Sequence, residues 1–193
     1  WVLDAACAQL RAWHDAGHDS WTMSVNLSPV QFASNTLLDT VRETLARHQL
    51  EARFLTLEVT ETTAMNNPDE SVRVLTELTQ AGVKASIDDF GTGYSSLLYL
   101  KKLPACELKI DRAFVKDLNS TGDDATIVSA IVALAKTLNL KVVAEGVETE
   151  EQQTFLTSLG CNTLQGYLLG KPVTAQAVNA LSHDPQAMLT QQI

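Results

Sequence analysis

The sequence predicts an α/β protein whose parallel strands close into a (β/α)8 barrel. Six short apolar or β-branched runs alternate with longer segments of helical periodicity, which is typical of a parallel sheet covered by helices. A polar residue falls at or near the end of each predicted strand, at Asn26, Glu58, Asp88, Lys109, Glu145 and Gln165. In a barrel all these ends meet at one mouth, whereas an open doubly wound sheet would use only the strands near its switch point. The spread of polar ends over six strands therefore favours the barrel.

The elements follow in order along the chain. The first is a helix with Leu3, Ala6, Leu10 and Trp13 on one face, and Gly17 ends it. The predicted strands are Thr22–Leu27, Phe54–Val59, Lys84–Asp88, Glu107–Ile110, Lys141–Ala144 and Thr163–Gly166. Apolar stripes predict three further helices, at Leu37, Leu38, Val41 and Leu45; at Val72, Leu75 and Leu78, with Gly82 as the stop; and at Ile127, Ile131, Leu134 and Leu138, after Asp123 and Asp124. A closing helix follows Thr174.

Six βα units are about two fewer than the eight of a barrel, and barrels typically run to about 250 residues. Because the chain has 193 residues and opens inside a helix, we expect roughly the first two strands to be absent from it. We assign residues 1–182 to one N-terminally incomplete domain and residues 183–193 to a loosely held tail.

Composition excludes some functions. A net charge of −9 argues against binding nucleic-acid polymers, which requires a basic surface. A small anionic ligand stays compatible if metal ions supply the positive charge. Three widely spaced cysteines outside any CxxC motif indicate a reducing compartment and packed side chains rather than disulfides or zinc ligands. No apolar run reaches membrane-spanning length, so we expect a cytoplasmic chain without direct membrane contact, in a parent protein that a membrane anchor elsewhere would still allow.

The tandem Asp88-Asp89 at the end of a strand is the strongest chemical signal. Two adjacent carboxylates repel each other, and burying both ionised is costly unless a cation lies between them. For an isolated pair, a solvated acidic turn is an equally good interpretation. Asn26 and Glu58 add further oxygen donors, which Mg²⁺ and Mn²⁺ favour, and no histidine at a strand end points to zinc. Glu145 ends another strand, and Gly146 behind it permits a sharp turn or the close approach of a ligand.

Lys109 and Asp111 lie two residues apart and so on the same side of an extended strand. Near metals and a phosphate, the lysine would hold a water molecule or neutralise developing charge. A structural salt bridge is an equally weighted alternative. Asp89-Phe90-Gly91 matches the magnesium-binding tripeptide of protein kinases, but neither an HRD catalytic loop nor a glycine-rich nucleotide loop accompanies it.

Together these motifs resemble the EAL domain, the bacterial phosphodiesterase that hydrolyses cyclic di-GMP to linear pGpG. The matching segments, in family order, are Asn26-Leu27-Ser28-Pro29-Val30-Gln31, Leu57-Glu58-Val59-Thr60-Glu61, Asp88 through Ser96, Lys109-Ile110-Asp111, Ala144 through Thr149, and Gln165-Gly166-Tyr167 with Lys171-Pro172. The resemblance implies a TIM-like barrel of EAL type, two Mg²⁺ or Mn²⁺ ions, inhibition by Ca²⁺, and homodimerisation as a common state.

The resemblance also implies roles for single residues. Asn26, Glu58 and Asp88 resemble ligands of the first metal, and Asp88, Asp89 and Glu145 resemble ligands shared with or holding the second, with Asp111 close by. Glu145 matches the general base and Lys109 the lysine that helps fix the attacking water. Gln165 lies where the family contacts metal-bound water or substrate, and Glu148 near one guanine. Glu61 matches the glutamate that braces the loop from Asp89 to Ser96.

The name-giving Glu-Ala-Leu, whose Glu is a ligand of the first metal, is missing, as is the phosphate-binding arginine that follows it. We therefore assign the phosphodiesterase activity to the parent domain and expect very low activity from the chain as given. The main alternative is an inactive EAL module that acts as a cyclic di-GMP receptor or protein-interaction domain. The intact carboxylates that the chain covers favour the enzyme. An enolase-like barrel is a more distant alternative, against which the tandem Asp88-Asp89 and the lack of a second barrel lysine count.

Overall fold

The computed structural model describes residues 1–93, 96–118 and 122–181, and excludes the side chains of the last two. The predicted tail, residues 183–193, lies outside the described residues. The chain divides into two compact units, Trp1–Glu107 (unit 1) and Leu108–Ile193 (unit 2).

Unit 1 contains three parallel strands with β2 between β1 and β3. They are β1 (Met23–Asn26), β2 (Leu55–Thr60) and β3 (Lys84–Phe90). Each strand begins and ends within two residues of its predicted position. Phe54, which the sequence places in a strand, instead ends the 3₁₀ turn Ala52–Phe54.

The helices of unit 1 surround these strands. They are α1 (Val2–Asp15), α2 (Pro29–Phe32), α3 (Leu37–Arg47), α4 (Glu61–Asn66), α5 (Pro68–Gln80) and α6 (Leu97–Leu100). The three long helices were predicted from their apolar stripes, and on α1 the buried residues are Leu3, Cys7 and Leu10. The three short helices were not predicted, because four to six residues are too few to show a period of 3.6.

The sheet of unit 1 has one polar and one apolar face. Strand register aligns Ser24 with Thr56, and Glu58 with Ser86, on one side. Side chains alternate along each strand, so Val25, Leu57 and Ile87 face the other side, where they are at most 5% exposed. This alternation places the core on one side and collects the polar residues on the other.

In unit 2 the order of strands is β4, β5 and β6, with β5 and β6 parallel. The strands are β4 (Glu107–Ile110, starting at the last residue of unit 1), β5 (Lys141–Glu145) and β6 (Thr163–Gln165). The helices are α7 (Arg112–Lys116), α8 (Asp123–Thr137), α9 (Glu150–Leu159) and α10 (Ala175–Leu181).

The stripe predicted for α8 needs a correction. The helix exists, but Ile127 is 40% exposed, and the buried residues include Val128, Ile131 and Val132. Because α8 is apolar around much of its circumference, spacing alone did not identify the buried side.

All three cysteines are free. Cys7 is fully buried in the core. Burial raises the pKa of Cys161 to about 11, so this side chain stays a neutral thiol at physiological pH. In the described parts of the chain, no helix combines the length and apolar character needed to cross a membrane.

Candidate functional site

Three predicted metal ligands lie on the polar face of unit 1. Asn26 is in register with Glu58, and Asp88 is in register with Thr60, two residues beyond Glu58. Since side chains two apart in a strand share a face, Asn26, Glu58 and Asp88 project from the same side at the carboxyl ends of neighbouring strands. Glu58 and Asp88 are 7% and 8% exposed, so this edge carries nearly buried acids.

The tandem aspartates form a compact pair. The Asp89 amide donates a hydrogen bond of 2.9 Å to Oδ1 of Asp88, and one carboxylate oxygen of each residue lies within 4.8 Å of the other. Asp89 adopts a left-handed backbone with φ of 53°, which costs a residue with a side chain about 1–2 kcal/mol. Strain of this kind is often retained at functional sites, which agrees with a ligand role for this pair.

Glu61, the first residue of α4, reaches the loop that follows β3. Its Oε2 accepts hydrogen bonds from the amides of Gly91 (2.7 Å) and Gly93 (3.3 Å), and the residue is only 1% exposed. Tyr94 and Ser95 of this loop lie outside the described residues. A Cβ atom added to Gly93 would lie 3.0 Å from Oε1 of Glu61, so the loop passes directly over the carboxylate.

In unit 2 the structure brings two predicted residues into direct contact. Nζ of Lys109 on β4 lies 2.7 Å from Oε1 of Glu145 on β5, with side-chain exposures of 8% and 18%. An ion pair this buried is costly to form, and removing one partner leaves the other charge poorly solvated. The pair is therefore a specific arrangement rather than a surface salt bridge.

Asp111 faces away from the Lys109–Glu145 pair in its bonding. Its Oδ1 accepts a 2.7 Å hydrogen bond from the Ala113 amide and caps α7, a role that the sequence interpretation did not include. Gly146 has φ of +74°, and a Cβ atom there would lie 2.6 Å from Cβ of Arg112. The sharp turn expected behind Glu145 is confirmed, and only glycine fits it.

Gln165 is in register with Glu145 at the end of β6, so both face the same side of unit 2. Glu148 is exposed in the loop after β5, and its amide donates to Oε1 of Gln152 (2.7 Å). Gln152 is a positioning residue that sequence reasoning missed. The signal was available, because Thr149-x-x-Gln152 is a capping-box pattern, and both halves of the box are present.

Comparison with known proteins places this geometry in context. A family model described as EAL domain matches residues 1–172. The bifunctional diguanylate cyclase/cyclic di-GMP phosphodiesterase MucR of Pseudomonas aeruginosa is 63% identical over 180 residues, which are 93% of this chain and 26% of MucR. The cyclic di-GMP phosphodiesterase NbdA of the same organism is 47% identical over 92% of this chain and 23% of NbdA. The chain thus spans about a quarter of these curated relatives.

Solved structures are also similar. A MucR phosphodiesterase in complex with cyclic di-GMP matches with a TM-score of 0.90 and 63% identity, over 92% of this chain and 72% of that one. The EAL domain of Mycobacterium smegmatis DcpA matches with a TM-score of 0.88 and 40% identity, over 94% and 82%. These EAL domains have a TIM-like barrel fold, which confirms the predicted fold class. Klebsiella pneumoniae BlrP1, in a manganese and cyclic di-GMP complex, matches with a TM-score of 0.73 and 34% identity, over 80% and 40%.

Proposed function

The chain belongs to the EAL domain family, and from this premise we propose that its domain hydrolyses cyclic di-GMP to linear pGpG with two Mg²⁺ or Mn²⁺ ions. The observation that carries the proposal is the alignment of Asn26, Glu58 and Asp88 on one sheet face, with Asp89 beside them. Amide and carboxylate oxygens are the donors that these hard cations prefer. Related structures that contain cyclic di-GMP, in one case with manganese, support the same ligand and ion.

We assign the metal ligands as the resemblance implies. Asn26, Glu58 and Asp88 would hold the first ion, and Asp88, Asp89 and Glu145 the second. Asp111 would lie nearby through Oδ2, since Oδ1 caps α7. Bound ions would neutralise phosphate charge and make a water molecule acidic enough to lose a proton near neutral pH.

The residues of unit 2 would act on that water. Hydrolysis adds one water across a P–O3′ bond and leaves a 5′-phosphate and a 3′-hydroxyl. Glu145 would accept the proton of the attacking water, because its pairing with Lys109 uses Oε1 and leaves Oε2 as an acceptor. The Lys109 ammonium would hold the carboxylate and the water in place. Gln165, beside Glu145, would contact the water or the substrate, and Glu148 one guanine.

A direct assay tests the proposal. The full-length protein is incubated with cyclic di-GMP and Mg²⁺, Mn²⁺, Ca²⁺ or EDTA, and the products are separated and weighed by mass spectrometry. We expect pGpG with Mg²⁺ and Mn²⁺, none in EDTA, and strongly reduced turnover with Ca²⁺, whose longer bonds and higher coordination number would misplace the water. Turnover in EDTA would contradict the metal requirement. Tight binding of cyclic di-GMP without turnover would instead identify a receptor module.

Two further predictions accompany this function. We expect a homodimer, which light scattering of the purified protein would test. A cytoplasmic location stays a prediction from the cysteine content, and fractionation of cells that produce the full-length protein would test it.

A further inference from the structure

Tyr167 is a large aromatic residue left 61% exposed directly after β6. It belongs to the segment Gln165-Gly166-Tyr167, of which the proposed mechanism uses only Gln165. A single exposed aromatic residue is common on protein surfaces and carries no meaning by itself. The support of this tyrosine by its neighbours is what distinguishes it.

The backbone around Tyr167 is held tightly against the loop after β5. The Val147 amide donates to the Gln165 carbonyl and the Leu168 amide donates to the Val147 carbonyl, each at 3.0 Å. A Cβ atom on Gly166 would lie 2.1 Å from the Val147 carbonyl oxygen, so the two segments leave no room for a side chain there. Tyr167 is therefore on a rigid turn, bonded through its neighbours to the residue that precedes Glu148.

The ring itself is also supported. Nζ of Lys171 lies 5.5 Å from the centroid of the Tyr167 ring, within the range of a cation–π interaction. The lysine restrains the orientation of the ring and adds a positive charge next to it, which favours an anionic ligand. A tyrosine restrained in this way loses little conformational entropy when a flat group stacks on it.

We propose that Tyr167 is a stacking platform for one guanine base of the substrate, with Lys171 as the residue that positions its ring. The inference rests on the proposed function. It adds a binding residue, next to the predicted guanine contact at Glu148, that acts through the π-face of the base rather than through hydrogen bonds. Stacking on an aromatic ring contributes to substrate binding, so it should affect KM and Kd more than kcat.

The experiment compares Tyr167→Ala, Tyr167→Leu and Tyr167→Phe in the full-length protein. Val173→Ala is the matched control, because Val173 is an apolar side chain of unit 2 that is 53% exposed. Initial rates with cyclic di-GMP give KM and kcat. Binding is followed in Ca²⁺ by the fluorescence of a cyclic dinucleotide in which 2-aminopurine replaces one guanine, since stacking quenches this probe.

We expect Tyr167→Ala and Tyr167→Leu to raise KM and Kd about ten- to hundredfold and to lose the quenching, while kcat changes little. Tyr167→Phe should keep both the affinity and the quenching, and Lys171→Met should lose only a few-fold in affinity, as expected for one exposed cation–π contact. Val173→Ala should behave like the wild type.

Each other outcome is informative. If the wild-type protein neither binds nor cleaves cyclic di-GMP, the proposed function fails and this inference with it. If the wild type is active and Tyr167→Ala keeps its KM and its quenching, the stacking role alone is overturned. Equal losses in Tyr167→Phe and Tyr167→Ala would identify the hydroxyl rather than the ring as the important group, which also overturns it.

Discussion

The strand ends of the two units are built in different ways. In unit 1, Asn26, Glu58 and Asp88 reach a common face through the register of three neighbouring strands, and all of them offer oxygen. In unit 2, the corresponding edge includes a lysine, and Lys109 and Glu145 are joined by a buried ion pair. Register depends on the whole sheet and survives the loss of one side chain, whereas an ion pair fails when either partner is replaced.

This difference indicates a division of labour. A set of oxygen donors suits cation binding, whereas a paired acid and base suits the placement and deprotonation of water. Substitutions in unit 1 should therefore act first on metal affinity, and substitutions in unit 2 first on the rate of chemistry. The following predictions test that contrast, from the largest expected effect to the smallest.

The largest effect is expected for Asp88→Ala. The residue is proposed as a ligand of both ions, so kcat should fall by at least about 10³-fold, the equivalent of several kcal/mol of transition-state stabilisation. Calorimetric titration with Mn²⁺ should show weaker binding as well. Asp39→Ala, an exposed aspartate on α3, is the control and should leave both quantities unchanged. Unchanged metal affinity in Asp88→Ala would rule out its ligand role.

Glu145→Gln should lower kcat by about 10²- to 10⁴-fold, the range for loss of a general base. In contrast to Asp88→Ala, it should still bind at least one ion, because the donors of unit 1 are intact. Lys109→Met should lower kcat in the same direction and should also reduce stability, because it leaves the Glu145 carboxylate without its partner. Loss of all metal binding in Glu145→Gln would show that the two units cannot be separated in function.

Glu61→Ala should lower activity about 10- to 100-fold, as expected when a group that supports metal ligands is removed. The amides of Gly91 and Gly93 lose their shared acceptor, and the loop that begins at Asp89 should become more sensitive to proteases. Gly93→Ala tests the same contact from the loop side, since its methyl group would press on the Glu61 carboxylate. Wild-type activity with unchanged proteolysis in both variants would contradict the bracing role.

The smallest effect on activity is expected for Gln152→Ala, which should act mainly on stability. Gln152 is 4% exposed, its Nε2 donates to the carbonyls of Val115 (2.8 Å) and Lys116 (3.0 Å), and its Oε1 accepts from the amides of Glu148 and Thr149. Leaving these buried groups unsatisfied should cost about 2–3 kcal/mol in urea-induced unfolding. Turnover of the folded variant should change only a few-fold. Gln153→Ala, its neighbour on α9, is the control, and equal stability of the two variants would refute the bracing role of Gln152.

The sequence by itself determined the order and approximate bounds of all six described strands, because alternating β-branched runs are a local signal. It also identified the oxygen donors at strand ends and the glycine turn after Glu145, since residue type and position along a strand are both local. Local periodicity was insufficient for the short helices and for the buried side of α8, where Ile127 is exposed and Val128 is fully buried.

Only the tertiary structure decided which of these residues meet. Lys109 and Glu145 are 36 residues apart, and their contact depends on where β4 and β5 are placed, which no local pattern encodes. The shared face of Asn26, Glu58 and Asp88 depends on register, since a slip of one residue would turn a whole strand's side chains to the other face. Likewise, Gln152 could be recognised from sequence as a cap of α9, but its bonds to Val115 and Lys116 exist only because α7 and α9 pack together. Residue chemistry is written locally, whereas its assembly into a site depends on long-range pairing.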